Sequence, residues 1–427
     1  MKPIMRTAAI AVASLFASSV WATNGYAPHG IGQKSKGMGG VGIALVQDSV
    51  GGGMNPAGMV DLGNRLDVGL EWFRPIRSTE FVGNSMIDGF GLPSYYDGSD
   101  AKNFFIPEFG YNRMIDERMA LGVSVFGTGG MNTRYDNGIP FFNQRGNVTG
   151  IDLMQLFVVP SLSWKINDNH AIGIGLNLAA QLFNAKGLQN FDAPAGTPQQ
   201  MSEAPGSVTN NGYDTSYGVG VRVGWIGRIS DMVTLGATYQ SRTYMSEFDD
   251  YKGLFAEQGD FDIPENFGAG IAIQATPKLL FAFDVMRINY NGVKAIGNPM
   301  SRLFLGNPLG SSNGPGFGWE NQTVYKLGVS YELSRDWTLR GGWNHGDNPI
   351  PNNETFFNTL APGVVEDHLT LGATWNLGNG QEITFTYMHA LENEVKGSAS
   401  IPPNFGGGEA DIKMYQNAIG ISWGMAL

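Results

Sequence analysis

From Arg65 to the C-terminus, polar and apolar side chains alternate with a period of two. The clearest stretch is Tyr213 to Arg228. Odd positions carry Tyr213, Thr215, Tyr217, Val219, Val221, Val223 and Trp225, while even positions carry Asp214, Ser216, Gly218, Gly220, Arg222 and Gly224. Successive side chains of a strand point to opposite faces, so this stretch has one aliphatic and aromatic face and one polar or tiny face. The same pattern predicts strands over 65–78, 103–113, 119–131, 151–166, 170–185, 213–229, 232–247, 265–276, 278–290, 322–333, 336–345, 367–378, 381–391 and 410–427. Those are fourteen strands, an even number, as bacterial single-chain membrane barrels require. Most are as long as the about 9–11 residues that a tilted spanning strand needs.

The connections sharpen the choice between a membrane barrel and a soluble sandwich. Every second link is short and turn-rich: Ile115-Asp116-Glu117-Arg118, Asn167-Asp168-Asn169, Ser230-Asp231, Thr276-Pro277-Lys278, Ser334-Arg335 and Asn379-Gly380. The last of these is the hairpin dipeptide Asn-Gly. The links between them are long and rich in Gly, Pro, Asn and Asp. Short turns at one end and long loops at the other belong to an outer-membrane barrel, and a soluble sandwich has no reason to sort its loops this way. The alternation Ile419, Ile421, Trp423, Met425, Leu427 reads as a closing strand that pairs with the first. Its terminal Leu427 stands where outer-membrane barrels commonly carry an aromatic residue. The fold expected is therefore all-β, a fourteen-stranded antiparallel transmembrane barrel.

Composition agrees. Charged residues are 15% of the chain against a usual ~25%, and its 61 glycines are about twice the average usage. Beyond the N-terminus no apolar run is long enough for a spanning helix. Lys2 and Arg6, an apolar stretch from Thr7 to Ser19, and Val20-Trp21-Ala22 before Thr23 have the layout of a cleaved signal peptide over 1–22. The expected location is the outer membrane of a Gram-negative bacterium, with lipid and lipopolysaccharide as surroundings. Cysteine is absent, which excludes thiol catalysis, thiolate metal sites and disulfides. The five histidines lack metal-ligand spacing, so neither a metal nor another cofactor is expected. A net charge of −11 argues against nucleic acid as a partner. No nucleophile elbow or nucleotide motif points to an enzyme or to driven transport.

Residues 23–63 do not read as strand. They are dense in glycine, as in Gly37-Met38-Gly39-Gly40-Val41-Gly42 and Gly51-Gly52-Gly53-Met54-Asn55-Pro56-Ala57-Gly58. Glycine lets backbone approach backbone closely, so this segment can fold compactly inside a barrel wide enough to need filling. The Asn55-Pro56-Ala57 block, Ile263-Pro264-Glu265, Asp284, the run Trp337 to Gly342, Asp347-Asn348-Pro349-Ile350-Pro351 and Tyr387-Met388-His389 complete the pattern. With them the mature chain resembles the FadL/TodX family of outer-membrane transporters for long-chain fatty acids and aromatic hydrocarbons.

That resemblance implies a monomer with an N-terminal hatch over 23–63 inside a barrel over 64–427. It implies passive uptake of a hydrophobic small molecule, long-chain fatty acids foremost and aromatic or aliphatic hydrocarbons as the alternative. Asn55, Pro56 and Ala57 would form the hatch gate. Gly127, Gly129 and Gly130 would kink the third strand and make a lateral opening, since glycine inside a strand often marks a bulge. Leu188, Phe191, Phe248, Leu254, Phe255 and Phe261 lie in long loops among acidic residues; they are either a ligand-capture groove or the self-packing of a compact loop. Strand parity sends Arg222, Arg242, Lys326 and Arg340 into the lumen, as partners either for a ligand carboxylate or for lumen acids and hatch carbonyls. A general diffusion pore or structural barrel is the rival class, and the glycine-rich plug and low charge argue against it.

Overall fold

The computed structural model describes residues 23–143 and 147–427, so the expected signal peptide over 1–22 lies outside it. Fourteen long strands form the wall: β1 Arg65–Val82, β2 Phe104–Met114, β3 Met119–Asn132, β4 Gly150–Lys165, β5 His170–Lys186, β6 Asp214–Arg228, β7 Val233–Gln240, β8 Asn266–Thr276, β9 Leu279–Ile288, β10 Gln322–Glu332, β11 Trp337–Gly346, β12 Asp367–Gly378, β13 Gln381–Val395 and β14 Glu409–Ala426. Neighbours in sequence pair antiparallel throughout. The sheet closes where β14 pairs with β1, in a ladder that runs from Glu409↔Val82 to Ala426↔Arg65. Closure joins the last strand to the first, so no terminal edge strand is left unpaired in lipid, where an unpaired backbone group would cost several kcal/mol.

Parity explains the wall. On β6, Tyr217, Val219, Val221 and Val223 are exposed on the outer face, whereas Ser216, Gly220 and Arg222 are buried inside. In a bilayer the outer face meets lipid. Trp164, Trp337 and Trp375 ring the short-turn end, with the last two stacked at 5.8 Å between centroids, and Tyr213, Tyr239, Tyr325 and Tyr387 ring the other. These are interfacial girdles.

Two stretches depart from the sequence reading. The strand expected over 232–247 leaves the wall after Gln240, and only Tyr244–Met245 rejoins β6. Ser241 causes the break: its hydroxyl accepts from Val221 N at 3.0 Å in place of a ladder carbonyl. The other departure is β3. Its ladder with β2 runs from Met114↔Ala120 only as far as Phe109↔Val125. Its register with β4 then slips between Gly127 and Gly129, leaving Thr128 as an extra residue. From Phe126 to Asn132 every residue is buried, so this half of β3 bends off the lipid-facing surface into the molecule.

Residues before Arg65 plug the lumen. A helical turn at Gln33–Lys36 and two 3-10 turns at Ser49–Gly53 and Pro56–Asp61 are almost wholly buried. Above the plug the long loops close over the barrel around an aromatic core that includes Phe141, Phe142, Phe183, Phe191 and Phe356.

Candidate ligand passage

The loops after β5 and β7 bring Leu188, Phe191, Leu254 and Phe255 around a cavity of ≈ 50 Å³, with Phe183 and Phe317 completing its wall. Phe248 and Phe261 stand behind it, their rings 5.6 Å from Phe183 and 4.8 Å from Phe255. All of these are buried except the half-buried Leu254. The six loop residues singled out in the sequence therefore lie together, four in the cavity wall and Phe248 and Phe261 packed behind it. The rings of the loop pack on one another as well as on the cavity. Below Phe261, Asp260 sits partly buried beside Asp262, and burial and that second carboxylate raise its pKa to about 7.

A second cavity, of ≈ 60 Å³, lies deeper, among Tyr26, Phe126, Phe157 and Met286, with Arg222 and Lys326 in its wall. Lys326 donates to the Gly40 carbonyl at 3.2 Å and stands opposite Asp284 in the β9–β10 ladder. Asp284 in turn accepts from Gly42 N at 2.8 Å and Ile43 N at 3.0 Å. Arg222 is different. It donates Nη2 to Gln240, its Nε has no partner in the protein, and no carboxylate among the described residues pairs with it. A buried guanidinium without a counter-charge is costly, and it suits an anion that arrives as ligand.

The other two cations expected in the lumen do not line this cavity. Arg340 faces inward but is used by the hatch, donating to Gln47 at 3.1 Å and to Thr374 at 2.6 Å. Arg242 is a correction: the wall strand has already ended at Gln240, so parity no longer applies. Arg242 instead sits half-exposed among the loops, 3.6 Å from Asp262 and bonded to the Gly292 carbonyl.

Asn55, Pro56 and Ala57 rest against β5, β6 and β7. The Asn55 amide reaches the carbonyls of Ile43 at 2.6 Å, Trp225 at 3.2 Å and Ala237 at 3.3 Å, while its oxygen accepts from Ala57 N at 3.0 Å. Gly224 and Gly173 make room: a Cβ on Gly224 would fall 1.9 Å from the Asn55 oxygen, and one on Gly173 2.4 Å from Ala57 N. Gly127, Gly129 and Gly130 lie on another wall. What faces them is Tyr26, whose carbonyl accepts from Gly130 N at 3.2 Å, and Gly53, packed on the Phe126 ring. The structure does not bring the expected gate and the kink glycines together.

Tyr26 is the residue that sequence reasoning missed. It lines the inner cavity, touches the β3 bulge, and packs on Tyr290 and Trp319 at 5.3 and 5.9 Å. Its signal was a lone aromatic in a glycine-rich segment just after the expected cleavage point.

A closed fourteen-stranded barrel with apolar outer belts and a lumen filled by its own N-terminal segment defines a plugged outer-membrane channel. The family model for outer membrane protein transport protein (OMPP1/FadL/TodX) matches residues 41–425, and the chain belongs to that family. A search of curated protein sequences returns no match. Among solved structures, a Pseudomonas aeruginosa FadL homologue superposes with a TM-score of 0.70 at 17% identity, covering 94% of this chain and 99% of the other. The P. putida toluene transporter TodX gives 0.65 at 16%, covering 93% and 99%. The Ralstonia pickettii toluene transporter TbuX gives 0.63 at 18%, covering 93% and 98%. At these identities the likeness is one of fold.

Proposed function

We propose that this protein carries long-chain fatty acids inward across the outer membrane by passive diffusion. The observation that carries this reading is Arg222, buried in the wall of the inner cavity, which Lys326 also lines, with no protein carboxylate of its own. A fatty acid meets both demands of the passage. Its chain gains about 25 cal/mol per Å² of apolar surface removed from water in the outer cavity. Its carboxylate takes the charge-assisted hydrogen bond that Arg222 leaves open. Release is sideways, through the unpaired side of β3 above Val125, with the hatch rearranging to free the path; the break in the β2–β3 ladder supports this. Export by removal of 1–22, a hatch over 23–63, contact with lipopolysaccharide and a monomeric state belong to the same reading. The wholly apolar, ring-lined outer cavity favours a second substrate class, monoaromatic hydrocarbons, which TodX and TbuX carry by name.

Uptake of labelled oleate and labelled toluene, by cells lacking their own transporters, separates the readings. Arg222→Met at equal surface expression should lower oleate uptake roughly tenfold or more, the effect of losing about 1.5–3 kcal/mol in a hydrogen bond to a charged group. It should leave any toluene uptake unchanged. Toluene uptake without oleate uptake would transfer the assignment to hydrocarbons. Free passage of small hydrophilic solutes, with neither labelled ligand accumulating, would make the protein a general pore.

A further inference from the structure

No residue lines both cavities. A short segment of the loop after β7 runs from one to the other, alongside Trp319 of the loop after β9, whose ring packs on Tyr26 and Tyr290 at 5.9 and 5.2 Å. Leu254 and Phe255 belong to the outer cavity, Ile263 and Pro264 to the inner, and Phe261 lines neither. The Phe261 ring is fully buried, 4.8 Å from Phe255 on one side and 6.4 Å from Tyr26 on the other. A chain passing from one cavity to the other meets this ring.

The backbone beside it is strained. Glu257 and Gln258 are consecutive non-glycine residues in the left-handed region, at φ 60° and 59°, and Gly259 follows at φ 103°. Side chains disfavour that conformation, and it persists only where surrounding contacts over-determine it. The contacts that hold Glu257 and Gln258 come from the long loop after β9. Glu257 N donates to the Ser311 carbonyl at 3.0 Å, and Gln258 donates through N and Nε2 to the Gly310 carbonyl at 2.9 and 3.1 Å. Lys294 pairs with Glu257 at 2.9 Å. The Glu257–Lys294 pair is partly exposed, so water can compete for it. Released from this clasp, the turn relaxes and carries Phe261 with it, because only Gly259 and Asp260 separate Gln258 from that ring. On the other side, Gly259 O accepts from Phe248 N at 2.9 Å and keeps the segment pressed down.

We propose that Phe261 is the ring that closes the passage between the two cavities, and that the Glu257–Gln258 turn, clasped to the neighbouring loop, holds it shut until ligand fills the outer cavity. The inference rests on the transport reading above. It makes this segment, rather than the hatch alone, a determinant of which ligands pass: a flexible alkyl chain threads beside a displaced ring more readily than a bulky fused one.

A reversible clamp tests it. The chain has no cysteine, so Glu257→Cys/Ser311→Cys can pair only with itself, and the backbone hydrogen bond between these positions brings them close enough. In oxidised cells oleate uptake should fall at least tenfold and return with dithiothreitol, while purified oxidised protein still binds oleate in its outer cavity. Adding Phe261→Ala to the clamp should restore uptake under oxidation, since no ring then fills the passage. An oxidised clamp that transports at the unmodified rate overturns the gate, as does one still blocked after Phe261→Ala. Failure of the unmodified protein to take up oleate overturns the transport reading itself, which is a separate outcome.

Discussion

Asn55 has one amide group within hydrogen-bond reach of three carbonyls, two of them on the barrel wall. Its role in the resting molecule is that of a pin between the hatch and β6–β7. Replacing it with alanine leaves buried carbonyls unsatisfied, at a cost of about 1–3 kcal/mol. For Asn55→Ala we expect faster amide exchange across 41–60 by mass spectrometry, with barrel strands such as β10 unchanged. Exchange unaltered in the hatch would show that the glycine contacts, not the amide, hold it. That Asn55-Pro56-Ala57 makes a tight turn was legible from its turn chemistry and its glycine-rich setting. Which wall it touches was not, because sequence spacing carries no distance across a lumen. The cations divide in the same way. Arg222 and Lys326 follow from parity because their strands run unbroken, and Arg242 does not because its strand ends two residues earlier.

Among the elements, the wall strands other than that over 232–247 were legible to within a few residues at each end, since one face must meet lipid and the other must not. Parity fails where that requirement lapses. The upper half of β3 leaves the lipid surface, so Phe126 to Asn132 are all buried and no alternation remains to read. The glycines there marked a bend correctly as a type of event, and the bulged residue is Thr128, held through its hydroxyl to Gln155 at 3.1 Å. Deleting Thr128 removes the extra residue and lets β3 run in one register with β4. Oleate uptake should then drop severalfold, while heat-modifiable migration in detergent gels shows an intact barrel. Unchanged uptake by the deletion variant would remove the β3 side as the exit.

At the scale of the whole molecule, the hatch is fastened unequally. Against β5–β7 it is held by neutral contacts, backbone on glycine. Toward β1, β2 and β13 it is held by charge: Lys36 lies 3.1 Å from Glu71 and 3.6 Å from Glu108, and Lys34 and Arg65 share Glu382. None of this pairing could be read from the sequence, where Lys36 and Glu108 are far apart and only their low-charge context stands out. The charged side is the costly one to disturb. Removing one partner of a buried ion pair leaves uncompensated charge, at about 3–5 kcal/mol, whereas replacing both partners by neutral groups is often close to neutral. Lys36→Met should therefore loosen the hatch strongly, seen as fast exchange over 33–43 and as leakage of small solutes through the barrel. Lys36→Met/Glu71→Gln should recover part of the protection, because only Glu108 then remains without a cation. If the single variant leaves the hatch protected and the channel tight, the charged side is not what fastens it, and the plug is held by packing against the glycines alone.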